Sequence, residues 1–268
     1  MNTARIVGFL AAMCFASFAG AVEDLRLATT TSVENSGLLD YLLPDFERFC
    51  DCRVRVLPVG SGKAMKLGER GDVDLMFTHA PPVEKKFIAA GDGVDRRVVM
   101  HNYFVLIGPP NDPAGIVGKN TMNAMHTIVK QRVRFISRGD DSGTHKKETA
   151  LWRLLNFSPA DFEQDWYISS GGGMGQVIVM ADQLRAYTLS DIGTFLFFRG
   201  RTDLAVLSHD EPQLANIYSV MRVNPKRHPQ TQAALAVRFI DWLLAERTQK
   251  RIGEYRLLGN SLFIPAKQ

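Results

Sequence analysis

The feature that most restricts the fold of this chain is a recurring order: a short apolar run, a turn of Ser, Thr or Gly, then residues at helical spacing. Leu25–Thr29 reads as a strand. Thr31-Ser32-Val33-Glu34 reads as a capping box, with Thr31 at the N-cap and Glu34 three residues on. Leu38, Leu39, Leu42, Leu43, Phe46 and Phe49 follow at helical spacing, and Pro44 is expected to kink or restart that helix. Val54–Pro58 and Val73–Thr78 are further strands, with a helix opened by Gly60-Ser61-Gly62 between them. After a strand over 103–107 the pattern repeats: Val133–Ser137, a helix after Ser142, Tyr167–Ser169, a helix after Gly171–Gly175, and a strand over Ala186–Leu189. The tail alternates through Ile217–Val223 and closes with one long amphipathic helix, Thr231–Tyr255.

Such alternation implies an α/β protein with mainly parallel sheets and right-handed crossovers. The order predicts two lobes, each a mainly parallel sheet flanked by helices. The first takes residues 22–107 and 203–268, and the second is the insertion 108–202. Two crossing segments, near 107 and near 202, form the expected hinge.

Residues 1–21 differ from the rest. Arg5 precedes an apolar run, Ile6–Phe18, and Ala19-Gly20-Ala21 offers small residues for cleavage, which is the layout of a signal peptide. Cys14 follows Met13, which argues against a lipoprotein site. The expectation is a soluble periplasmic protein. Cleavage removes one basic residue from a net +4, leaving 4 − 1 = +3, and no basic stripe supports nucleic-acid binding. Cys50 and Cys52 then remain. A bond across one intervening residue is expected to be strained, so no structural disulfide is predicted.

Small donors gather at the strand-to-helix junctions: Thr30-Thr31-Ser32, Gly60-Ser61-Gly62, the stretch from Ser137 to Thr144, and Gly171–Gly175. In open α/β sheets ligands bind at the carboxyl ends of strands, where helix N-termini point free N–H groups outward. Each loop read alone is ordinary capping chemistry. Arg138, directly after a strand, adds a guanidinium that can fork onto an anion or pair with Asp140 or Asp141.

On these loops the sequence resembles the tungstate-binding proteins of ABC importers, in the type II periplasmic binding protein superfamily. The stretches that carry the resemblance are Ala28–Ser32 with Ser36–Asp40, Val59–Gly62, Thr78–Pro81, Ser137–Glu148 and Tyr187–Asp191, in order along the chain. The resemblance implies a two-lobed fold with the ligand in the interlobe cleft, and capture of a tetrahedral oxyanion for a permease and its ATPase. It assigns contacts to Thr30, Thr31, Ser32, Ser61, Arg138, Ser142 and Gly143, with Gly173 and Tyr187 as further positions. It implies no cofactor, no metal, no catalysis and a monomer. Arg138, Asp140, Ser142, Gly143 and Thr144 also resemble the loop of phosphate-binding proteins, so phosphate is the rival ligand, and molybdate is the closest mimic of tungstate. A free carboxylate in the site would favour phosphate, which keeps a proton part of the time; a donor-only site would favour tungstate.

Two readings from other classes are a periplasmic hydrolase, with Ser142, His145 and Asp141 adjacent, and a sensory binding protein. No G-x-S-x-G elbow surrounds Ser142, which argues against the hydrolase. Gly62-Lys63 lacks the spacing of a phosphate loop, and His79 and His101 read as isolated.

Overall fold

A computed structural model describes residues 22–163, 165–208 and 212–266. The signal-peptide reading of residues 1–21 lies outside the described residues. In chain order the elements are β1 (Glu23–Thr30), α1 (Thr31–Asn35), α2 (Leu38–Cys50), β2 (Cys52–Val59), α3 (Ser61–Glu69), β3 (Leu75–Thr78), α4 (Pro81–Ala89) and β4 (Gly93–Gly108). There follow α5 (Thr121–Gln131), β5 (Phe135–Ser137), α6 (Gly143–Leu154), β6 (Tyr167–Ser169), α7 (Met174–Gln183), β7 (Thr188–Asp191), α8 (Ile192–Phe198) and β8 (Ala205–Ser208). The chain ends through β9 (Ala215–Val223), α9 (Ala233–Leu244), α10 (Glu246–Glu254) and the short strands β10 (Arg256–Leu257), β11 (Asn260–Ser261) and β12 (Ile264–Pro265).

The first sheet has the order β12-β4-β9-β3-β1-β2. Its β2-β1-β3 side is parallel, and β9 enters antiparallel between β3 and β4. The second sheet is built on the end of the same β4: Phe104–Ile107 pair antiparallel with β7, and Leu106–Gly108 pair with β8. Strands β5 and β6 run parallel beside it, joined by the Phe135–Tyr187 bridge. Each sheet thus carries three parallel strands and antiparallel partners.

Side-chain alternation splits each sheet into two apolar layers. Leu25 and Leu27 of β1, with Leu75 and Phe77 of β3, pack on Leu42, Phe46, Phe239 and Leu243, while Ala28 and Met76 face Met65 and Phe87. Along β4, Phe104 and Leu106 face Trp152 and Tyr187, whereas Val105 and Ile107 face Val177 and Ile178. Among the described residues no helix is long and apolar enough to cross a membrane.

Several expectations are corrected. The N-cap of α1 is Thr30, whose side chain accepts from Val33 N, so Glu34 forms no capping box. Helix α2 runs unbroken through Pro44, because Leu42, Leu43 and Phe46 are all buried and packing outweighs the missing donor; the break falls earlier, at Gly37 with φ 71°. The terminal helix divides at Ala245, whose ψ of 143° is extended. Strand β4 begins ten residues before 103, at Gly93. Cys50 and Cys52 do form a disulfide. The intervening Asp51 takes a left-handed φ of 55°, which brings the two Cα atoms to 5.1 Å, inside the range a disulfide spans.

Candidate functional site

The register of the first sheet brings three strand ends together. Thr30 pairs with Val59 and Thr29 with Phe77, so the turns after β1, β2 and β3 emerge side by side. Those turns carry Thr30–Ser32, Ser61 and His79. Thr30 is buried and caps α1; its Oγ1 lies 3.0 Å from Ser32 Oγ. Thr31 is exposed at the mouth of the cleft. Ser61 opens α3, and its Oγ is fully buried with no hydrogen-bond partner.

The second sheet presents its own strand ends opposite. Ser137 pairs with Ser169, so the turns after β5 and β6 are neighbours. Arg138 extends from the first. Its guanidinium pairs with Asp140 through one terminal nitrogen, while Nε is buried and unpartnered. Asp140 is thereby folded back: Oδ2 meets Arg138 and Oδ1 accepts from Ser142 N at 3.2 Å. Burial pushes the Asp140 carboxyl up, but the hydrogen bonds from Ser142 and the Arg138 charge outweigh it and hold the group below its usual range. Asp141 is exposed, with φ 57°, and pairs with Lys146 at 3.1 Å. Ser142 caps α6 through His145 N, leaving the first-turn amides of Gly143 and Thr144 without intrahelical acceptors. Gly173 caps α7 on the exposed cleft wall, and Gln176 Oε1 accepts from its N–H at 3.2 Å.

Behind Arg138 lies a buried carboxyl. Glu148 accepts from Ser137 Oγ at 2.9 Å, Trp152 Nε1 at 3.1 Å and Tyr167 OH at 2.6 Å. Burial pushes it up to about 7, against the pull of those donors and of the Arg138 amide.

A hollow of about 580 Å³ joins the two halves, with Thr31, Ser32 and Asn35 on one wall and Arg138, Gly173 and Met174 on the other. The halves also approach at Gly143, where a Cβ would stand 3.3 Å from His79 Cε1. Thus Thr31, Ser32, Arg138 and Gly173 share one cleft, Gly143 abuts His79, the partner of Ser32, and the register sets Thr30 and Ser61 on neighbouring strand ends. Tyr187 stands apart. Its ring is buried in the second lobe, and its hydroxyl donates to Asp112 Oδ1 and accepts from Ala114 N.

Sequence reasoning missed His79, which reads as isolated in the chain but is central in space. It is buried, 3.0 Å from Ser32 Oγ through Nε2 and 2.8 Å from Asn216 Oδ1 through Nδ1, and it stacks on Tyr218 with centroids 4.9 Å apart. Asn216 reaches on to Asn102, so the ring is tied to both β9 and β4. The available signal was its place one residue after a strand, the rule that found the other loops.

A family model described as a PBP superfamily domain matches residues 18–247. The chain is 43% identical over 250 residues to "Tungstate-binding protein TupA" of Peptoclostridium acidaminophilum, covering 91% of this chain and 86% of that one. It is 37% identical to the protein of the same name from Campylobacter jejuni, covering 87% of each. Among solved structures, the tungstate binding protein TupA from Desulfovibrio alaskensis G20 superimposes with a TM-score of 0.84 at 40% identity, over 92% of this chain and all of that one. The tungstate ABC transporter structure from Geobacter sulfurreducens gives 0.80 at 46% identity, over 87% of this chain and 99% of that one.

Proposed function

Because the chain belongs to the PBP superfamily, in the family of its tungstate-binding relatives, we propose that it is a periplasmic solute-binding protein that captures tungstate for an ABC importer. It binds without chemistry. The curated relatives named above are tungstate-binding proteins, one solved relative is named as a tungstate ABC transporter, and the likeness to them extends over most of the chain.

The observation that carries the reading is a pair of orphaned donors. Ser61 Oγ and Arg138 Nε are buried without partners; Thr202 Oγ1, Ser219 Oγ and Gln249 Oε1 share that condition among the described residues, but Ser61 and Arg138 stand on the turns that follow β2 and β5. Two donors left idle on turns of opposite lobes await an acceptor-rich guest. Tungstate at neutral pH is a dianion with no proton, so it asks for donors alone. In this reading Thr30, Thr31, Ser32, Ser61, Arg138, Ser142 and Gly143 bind it, with Gly173 walling the cleft and Tyr187 acting at a distance by pinning the loop at Ala114.

Asp140 favours tungstate over phosphate. Both of its oxygens are committed, to Arg138 and to Ser142 N, so it orients the guanidinium and leaves no free carboxylate to accept a phosphate proton. In this reading capture draws the lobes together about the two crossing segments, near 107 and near 202. The closed monomer is the form a permease and its ATPase would meet.

Calorimetric competition of residues 22–268 with tungstate, molybdate, sulfate and phosphate tests this. Tungstate binds in preference to sulfate and phosphate. A phosphate preference overturns the ligand assignment, and binding of none overturns the class.

A further inference from the structure

The imidazole of His79 is held at both nitrogens, and the direction of each bond follows from its neighbours. Asn216 spends its amide hydrogens on Asn102 Oδ1 and on Tyr218 OH, each at 2.9 Å. Its Oδ1 therefore accepts, and the hydrogen at 2.8 Å belongs to His79 Nδ1. Burial disfavours the charged ring. While the ring is neutral, Nε2 is bare and accepts from Ser32 Oγ at 3.0 Å. The Ser32 oxygen in turn sits 3.0 Å from Thr30 Oγ1, whose hydrogen it can accept. In this state the Ser32 hydrogen is spent inward, and Ser32 shows the cleft a lone pair. A dianion is repelled there.

We propose that His79 is a positioning residue that takes up a proton at Nε2 as the anion enters, reversing the Ser32–His79 hydrogen bond and releasing the Ser32 hydrogen to the anion. The inference rests on the oxyanion reading above. The proton comes from solvent through the cleft; one N–H bond forms, no other covalent bond changes, and the ring gains one positive charge. Were Ser32 to turn outward without this step, Nε2 would be left as a buried acceptor with no donor.

The groups facing the ring are arranged for such a change. Asp191 at the foot of α8 and Glu84 of α4 favour the imidazolium, and Arg138 opposes it. Gly143 brings the positive end of α6 against Cε1. Asp191 is already hydrogen-bonded to Thr194 N and Oγ1, and Glu84 to Arg96, so both are held in place near the ring. Tyr218 OH and Asn216 complete the surroundings. Without an anion, burial above all, with a smaller push from Arg138, keeps the ring neutral. A dianion lodged beside Arg138 and Ser32 offsets the Arg138 charge and adds a negative charge that favours the imidazolium.

The test is calorimetry of tungstate binding to residues 22–268 between pH 6.5 and 8, where tungstate carries no proton, in Tris and in PIPES. The apparent enthalpy should differ between the two buffers by an amount that reports proton uptake of up to one per anion. Affinity should strengthen by up to about tenfold for each pH unit lowered. In His79→Gln the side-chain amide can donate to Ser32 without titrating, so both effects should vanish; its thermal midpoint by circular dichroism reports whether it folds. Buffer-independent enthalpy in the unmutated protein refutes the proposal whether or not the variant folds, as does a folded His79→Gln protein with the original pH slope. Failure to bind tungstate, molybdate, sulfate or phosphate refutes the function proposed above, and this inference with it.

Discussion

Ser61→Ala should move stability and binding in opposite directions. The Ser61 hydroxyl is buried and unpartnered, and the residue is 5% exposed. Leaving such a group dry costs about 1–3 kcal/mol in the ligand-free protein. Alanine keeps the Cβ, fits the first turn of α3 and removes the orphan, so ligand-free stability should rise by about 1–2 kcal/mol. In the complex the same hydroxyl donates to a charged oxygen, a bond of roughly 1.5–3 kcal/mol, so tungstate affinity should fall about 10- to 150-fold. Urea unfolding of the ligand-free protein measures the first effect, and titration calorimetry the second. A variant that is less stable without ligand and binds tungstate as tightly as before would refute the argument that this hydroxyl is kept idle for a guest.

Arg138→Ala should weaken tungstate binding by about 30-fold to several thousand-fold, the 2–5 kcal/mol typical of a truncated buried charge contact, with little change in the ligand-free thermal midpoint; unfolding of the variant would make this residue architectural. Gly139 has φ +62°, and a Cβ there would fall 1.7 Å from Ser169 Oγ, so Gly139→Ala should destabilise the fold by about 1–3 kcal/mol, read by urea midpoint. Glu148 stands near 7 folded against 4.5 as its ordinary value, so the folded state holds the proton more tightly. Stability should therefore fall by about 3 kcal/mol as pH rises from 4.5 to 7 and level off above. Glu148→Gln should remove that slope, and parallel pH–stability curves for the two proteins would contradict it.

The sequence conveyed the alternation of elements and the loops at strand ends because both depend on local pattern. The strand-end positions of Ser61, Arg138 and Ser142 were legible for that reason. Tyr187 was not: a motif marks the strand, but neighbouring positions face opposite sides, and only the packed sheet shows its ring among Phe135, Trp152 and Leu189. His79 offered a single local cue, its place just after β3, and its partners lie 47 and 137 residues away. Thr30 and Thr31 are chemically alike, so the cap could slip by one. The break at Ala245 leaves the apolar pattern of α9 and α10 almost in phase, which reads as a single helix. The first half of β4 was hidden by its mixture of Asp95, Arg96 and Arg97 with apolar residues, several of them solvent-facing.

Strand β9 lies between β3 and β4, so the amino-terminal sheet cannot close until residues 215–223 exist. Synthesis adds roughly 5–20 residues each second, so more than a hundred residues beyond β4 hold that sheet open for several seconds. The inserted lobe, made of contiguous chain, can settle first.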